Sequence, residues 1–337
     1  MLGHLLAGRG CPLLCIRARF SRRSQAAASV VALTLVVACG GRADSPADRV
    51  SNDSSSASQT LSTAVAQADT DDFGAPLPTD AKFASRVVSL NPTATEVIFA
   101  IGAESRLVGR SRWDEFPADA QKIAQLGDGI RPNVEAVLGA KPTLVILYAA
   151  AENRAAAQAF KNAGVRTITL RVDHIAQFMS LCTRLGMAMG ATERARQVAD
   201  SVQRTLDAVR AATRGAKPVS VVWPLWQSPV LVVGRGSYLD ELIEIAGGVN
   251  VFHDMSAPSP PVSLEEIAKR NPDVVIASAK TSATLRASGP WRAVGAIRAN
   301  HLVLDNPALS GRPSVVLGMA AVALARALHP ELSGSLP

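Results

Sequence analysis

The chain has 337 residues, 48% of them hydrophobic and 19% charged, which gives room for one large or two modest cores and excludes a fibrous or wholly disordered protein. Its formal net charge is +7, but five arginines (Arg9, Arg17, Arg19, Arg22 and Arg23) precede position 39, where no acidic residue stands, and subtracting those five leaves +2. No Lys/Arg cluster remains beyond them, so the basic balance points to no nucleic-acid partner.

Residues 1–38 read as an export signal. The arginines lead into the apolar run Ala26 to Val37, too short to span a bilayer. The run closes as Val36-Val37-Ala38-Cys39-Gly40, which resembles a bacterial lipobox. That resemblance implies cleavage before Cys39 and a lipid on its thiol; the alternative is an ordinary secretory signal that happens to hold a cysteine. Of the other cysteines, Cys11 and Cys15 lie in the leader and Cys182 sits among apolar neighbours in FMSLCTRLGMAMG. No disulfide framework exists, and Cys182 reads as a buried, inert thiol. Residues 39–85 are rich in Ser, Ala, Asp, Thr and Gln and read as a flexible tether, because they cannot bury enough apolar surface to offset ordering entropy.

Order is expected from Arg86. Val87 to Leu90 is a buried strand, Asn91-Pro92 a turn, Thr95 to Ile101 a helix stopped by Gly102, and Leu107 to Gly109 a second strand. A loop from Arg110 to Pro117 follows, then a helix from Asn133 to Leu138, the strand Leu144 to Leu147, a helix from Asn153 to Ala163 and the strand Val165 to Leu170. This alternation over residues 86–171 indicates a mostly parallel sheet.

Residues 172–215 form a linking helical segment. Within it, Thr192 to Arg214 places Ala195, Val198, Val202, Leu206 and Val209 on one face, with Thr192 as the expected N-cap and Gly215 and Pro218 closing the run. At 1.5 Å per residue this is a rod of about 30 Å. Taken alone it reads equally as a strut holding two lobes apart or as one more crossover helix.

The programme then repeats over residues 216–337. Strand Val219 to Trp223, helix Tyr238 to Ala246, a short stretch from Val249 to Phe252, helix Ser263 to Arg270 and a strand after Pro272 follow in order. Asn133-Val134-Glu135 before Pro142 and Ser263-Leu264-Glu265 before Pro272 align at the same spacing. The repeat favours an α/β fold of two lobes, each a parallel sheet flanked by helices, joined by one long helix. A ligand would bind between the lobes at the carboxyl ends of the strands. Aromatics are only 4% of the chain, yet Trp113, Tyr148, Trp223 and Trp226 all follow strands on that rim. Trp113 and Trp226 read as a platform for a flat ligand; for Trp223, core packing is as good a reading.

Taken together, RVVSLNPTATEVIFAIGAESRLVG, SRWDEFPADAQKI, PNVEAVLGAKPTLVI, SYLDELIEIAGGVNVF, VSLEEIAKRNPDVVI and RPSVVLGMAAVALARALHP resemble the periplasmic substrate-binding proteins that feed cobalamin, iron-siderophores and haem to ABC importers. The cobalamin binders are nearest, through the loop Trp113-Asp114-Glu115-Phe116-Pro117; ferric siderophore or haem binding is the alternative. The resemblance implies that Trp113 and Tyr148 contact the ligand and that Glu135 and Glu265 dock onto arginines of the membrane permease. It also implies a monomeric, exported binding protein without enzymatic activity, working in the periplasm or at the cell surface and needing no cofactor or resident metal. Taken singly, each of the two glutamates has a plainer reading as a carboxylate favoured by the helix dipole. Arg312, before the last helix, is placed to meet an anionic edge of the ligand. The chain departs from the family at Gly129 and Ser259, where a tryptophan would stand before each glutamate-bearing helix.

Other classes find less support. No G-x-S-x-G nucleophile elbow occurs, since Gly109-Arg110-Ser111-Arg112-Trp113 lacks the final glycine, which leaves an exported α/β hydrolase as a distant alternative. Gly234-Arg235-Gly236 is no dinucleotide fingerprint. His174, His253, His301 and His329 are dispersed and read as surface or capping residues, not as metal ligands.

Overall fold

Leu144, Val145, Ile146 and Leu147 form an unbroken apolar run, as a strand covered on both faces requires, and all four are fully buried. The computed structural model describes residues 70–78 and 80–337; the predicted leader, Cys39 and most of the predicted tether lie outside them. In the N-terminal lobe, β1 (Val87–Ser89), α1 (Pro92–Ala100), β2 (Leu107–Arg110), α2 (Val134–Gly139), β3 (Leu144–Tyr148), α3 (Asn153–Asn162) and β4 (Arg166–Leu170) alternate. Their strands pair in parallel in the order β2-β1-β3-β4. Helix α1 starts earlier than the sequence suggests: Asn91 is its N-cap and Pro92 lies in its first turn, where a missing N–H costs nothing.

Two helices follow, α4 (Ile175–Ala188) and α5 (Thr192–Thr213). Cys182 is buried on α4, and burial pushes its thiol up to about 12. The N-cap of α5 is Ala191, not Thr192, and no side chain caps it. Its apolar stripe, with Ala195, Val202, Leu206 and Val209 buried, packs on α4, and contact is close enough that a Cβ on Gly186 would stand 2.5 Å from that of Ala195.

The second lobe is built from β5 (Val219–Val222), the hairpin β6 (Pro224–Gln227) and β7 (Val230–Val232), α6 (Tyr238–Ile245), β8 (Gly248–Asn250), α7 (Leu264–Arg270), β9 (Val274–Ser278), α8 (Ala279–Ala287), β10 (Leu302–Asp305) and α9 (Leu317–Leu328). Its parallel sheet runs β8-β5-β9-β10, the same order as in the first lobe. The likeness extends to detail. Asn133 caps α2 by accepting from the Ala136 N–H at 3.0 Å, and Ser263 caps α7 by accepting from the Glu266 N–H at 3.1 Å. Lys141 and Asn271, each preceding a proline, both take positive φ, 51° and 47°. The ring disfavours the helical region for the residue before it, and each helix closes with a left-handed residue just ahead of its proline.

The lobes are not held apart, as a bare strut would hold them. The largest apolar cluster joins Val97 and Ile98 of α1, Phe178 of α4, Leu206 of α5, Leu242 of α6 and Leu324 of α9, because α5 is flanked by apolar helices of both lobes. Two smaller clusters lie one in each lobe, around Leu147 and Phe160 and around Phe252 and Val275.

The described residues include 70–78, ahead of the predicted boundary. Asp71 is buried, and its carboxylate accepts from the N–H groups of Phe73 (2.9 Å), Ala75 (2.8 Å) and Thr169 (2.9 Å) and from the Thr169 hydroxyl (2.7 Å). Asp72 pairs with Arg184 at 2.6 Å, and Leu77 and Ala84 are buried. Residues 70–78 thus clasp the end of β4.

Candidate functional site

The carboxyl ends of all four strands of the first lobe open onto one cavity of about 520 Å³. Leu90 follows β1, Trp113 follows β2, Tyr148 ends β3 and Val172 follows β4, as expected of a parallel sheet that presents its ligand site at that edge. The second lobe contributes Gly311, Arg312 and Pro313, just before α9. Two contacts tie the lobes beside the cavity. The Thr93 hydroxyl donates to the Pro313 carbonyl at 2.8 Å, and Arg312 pairs with Glu96 of α1. Further round, His174 at the start of α4 meets Glu241 of α6 at 2.6 Å.

Trp113 is held in a tight turn, in which Ser111 and Trp113 fold around the buried carboxylate of Asp114. The Trp113 N–H donates to the Ser111 hydroxyl at 3.1 Å and the Ser111 N–H to Asp114 at 2.8 Å. Its indole stays 52% exposed and lines the cavity. Tyr148 is half-buried, and its hydroxyl donates to Asp173. Burial, and then the Asp173 carboxylate, raise the Tyr148 phenol well above its ordinary value.

Gly129 forms part of the cavity wall. A Cβ there would stand 2.7 Å from the Leu90 carbonyl oxygen, so no tryptophan fits without moving the end of β1. Ser259 is exposed on a loop of the second lobe. A polar recess of about 570 Å³ shares Glu115 and Arg312 with the cavity and adds Arg110, Arg112 and Gln121.

Of the residues singled out in the sequence, the cavity brings together Trp113, Tyr148 and Arg312. Trp226 does not line this cavity; it stands on the β6–β7 hairpin, 62% exposed beside a second depression with Leu225, Lys280 and Thr284. Trp223 is only 5% exposed and packs in the main apolar cluster, so of its two readings the structure supports packing. Glu135 and Glu265 are exposed in the first turns of α2 and α7. Among the described residues no group of three or more His, Cys, Asp and Glu could hold a metal ion.

Sequence reading missed Glu96 and Ile130. Glu96 had a signal, being the sole charged residue of α1; it is 2% exposed, and burial raises its carboxyl above the usual range against the opposing pull of Arg312. Ile130 is 48% exposed and lines the cavity, which nothing in its local sequence marked.

Residues 87–309 match the family model described as "Periplasmic binding protein". The vitamin B12-binding protein of Salmonella typhi is 28% identical over 208 residues, covering 62% of this chain and 77% of the relative. That of Yersinia pestis (strain Pestoides F) is 26% identical over 211 residues, covering 63% and 75%. Among solved structures, the periplasmic vitamin B12 binding protein of Vibrio cholerae superposes with a TM-score of 0.64 at 22% identity, over 74% of this chain and 97% of its own. The periplasmic heme-binding protein of Roseiflexus sp. RS-1 gives 0.67 at 24% identity, over 74% and 99%. At these identities the two structures show the fold, two lobes of parallel sheet flanked by helices.

Proposed function

This chain belongs to the periplasmic binding protein family, whose members bind and do not catalyse, and from that premise we propose that it carries cobalamin in the interlobe cleft to an ABC importer permease. The observation that carries this reading is the lining of the cavity. Trp113, Ile130 and Tyr148 offer apolar surface to a broad flat ligand, while among the described residues no His, Met or Cys lines it. A corrinoid brings its metal already ligated, whereas haem iron asks the protein for an axial ligand. Among the described residues Tyr148 is the one aromatic hydroxyl at the cavity, and its bond to Asp173 and raised phenol oppose the tyrosinate that iron would need. The curated relatives named as vitamin B12-binding proteins support the same ligand.

The second reading is a haem or ferric siderophore carrier. Arg312 at the cavity favours it, since a guanidinium suits a ligand carboxylate, and so do the haem-binding structural neighbours. Glu96 already neutralises Arg312, however, so an anionic ligand would have to compete for it. On either reading, Cys39 is the proposed lipid anchor that keeps the exported protein at a membrane surface, and Glu135 and Glu265 are the proposed permease contacts.

Equilibrium titration with cyanocobalamin, haem and ferric siderophores, read by tryptophan quenching, tests the ligand. Cobalamin should bind saturably, and Trp113→Ala should weaken it about tenfold or more through lost stacking and burial. Tyr148→Phe should cost little for cobalamin. Saturable binding of haem alone, abolished by Tyr148→Phe, would replace the first reading by the second.

A further inference from the structure

Trp113 is half exposed on a surface loop, so something must limit the orientations of its indole if it is to serve as a binding wall. The guanidinium of Arg112 lies over the ring, 4.7 Å from its centroid, and so covers one face of an indole that lines the cavity. Arg112 is in turn paired with Asp128. The second oxygen of Asp128 accepts from the backbone N–H of Ile130 at 2.8 Å, and Ile130 is another wall of the same cavity. The two loops are also joined through their backbones, the Arg112 N–H donating to the Gly127 carbonyl at 2.9 Å and the Leu126 N–H to the Arg110 carbonyl at 2.9 Å. One carboxylate therefore reaches both walls, one through a stacked cation and the other through a peptide N–H.

We infer that Asp128 is a positioning residue of the cleft, which sets the Trp113 indole through Arg112 and the Ile130 turn directly, so that the apolar walls are in place before a ligand arrives. Its effect on affinity rests on the reading of the cleft as a flat-ligand site; its effect on the indole does not. An exposed tryptophan left free would lose rotamer freedom on stacking, and a prop that has already removed that freedom lowers the cost of binding. Arg112 is bound both to the ring and to the carboxylate, so a lysine, which lacks the planar fork, would not replace it.

Two measurements on the full chain separate the parts. In a Trp226→Phe background the remaining exposed tryptophan is Trp113, because Trp223 and Trp291 are 5% and 3% exposed. Asp128→Asn in that background should lower the residual emission anisotropy of the indole without ligand, and Arg112→Gln should do the same should the first variant fold poorly. Unchanged anisotropy in a folded variant would overturn the inference whether or not any ligand binds. With cyanocobalamin as probe, Asp128→Asn should weaken binding about threefold to tenfold. In the double variant with Trp113→Ala it should add clearly less than it does alone, since only its hold on the Ile130 turn remains. Fully additive losses would also overturn the inference, whereas a wild-type chain that binds no cobalamin would strike only the proposed function.

Discussion

At the level of single residues, the Arg312–Glu96 pair joins a partly exposed cation to a carboxylate that is almost wholly withdrawn from water. The two members are therefore unequal. Deleting Arg312 leaves a buried charge with no counter-ion, which costs about 3 kcal/mol, while deleting the charge of Glu96 leaves a guanidinium that can turn to solvent. The folded-state pKa of Glu96 lies above its unfolded value. Its protonation therefore favours the fold below the ordinary carboxylate range, and that contribution is lost as pH rises through the folded value. Arg312→Ala raises that value further. Chemical denaturation should thus show Arg312→Ala strongly destabilised at pH 7.5 and partly recovered at pH 5, with Glu96→Gln milder at pH 7.5 and nearly flat between the two. A deficit in Arg312→Ala that does not shrink on acidification would mean that the charge on Glu96 is not its source.

The clasp over residues 70–78 carries a prediction at the level of elements. Asp71 satisfies three backbone N–H groups and one hydroxyl, so Asp71→Ala leaves several donors unmatched and should cost about 2 kcal/mol. It should also free Phe73 for chymotrypsin; a cleavage rate equal to that of the wild type would show that the segment is held by something else. This segment was not legible in the sequence, because TDDFGAP packs largely through hydrogen bonds to one aspartate and has no apolar period to read. The alternating strands and helices were legible for the opposite reason. Leu144 to Leu147 and Val275 to Ala277 are apolar because they are buried, and the caps Asn133 and Ser263 announce their helices. The start of α1 was misplaced because Asn-Pro serves both as a turn and as a cap followed by the first helical residue. At the site, the aromatics that follow strands were visible, but which of them share a cavity depends on the β6–β7 hairpin, which sets Trp226 beside a second depression and had no distinct signal. Glu96 meets Arg312 across 216 positions of chain, a pairing that no local pattern encodes.

For the whole molecule, the proposed hand-over rests on two exposed carboxylates in matching first turns, one in each lobe. The Glu265 backbone N–H, and then Ser263, hold its carboxyl below the usual range, so it stays charged at neutral pH. Glu135→Ala and Glu265→Ala should leave cobalamin affinity and thermal stability nearly unchanged. Each should reduce uptake by vesicles carrying the cognate permease, the double change most, and lysine should be worse than alanine through repulsion. Loss of ligand affinity in either single variant, with permease docking intact, would return both residues to helix-dipole partners. The sheet order shared by the two lobes bears on this encounter in another way. A receiver made of two equal halves would find the same capped turn and the same carboxylate on either side, so two approaches half a turn apart would be almost degenerate in their charge contacts. What distinguishes them must be something present once. Among the described residues, the β6–β7 hairpin belongs to one lobe alone and the clasp to the other, and these unpaired features are where a symmetric receiver could tell one end of the molecule from the other.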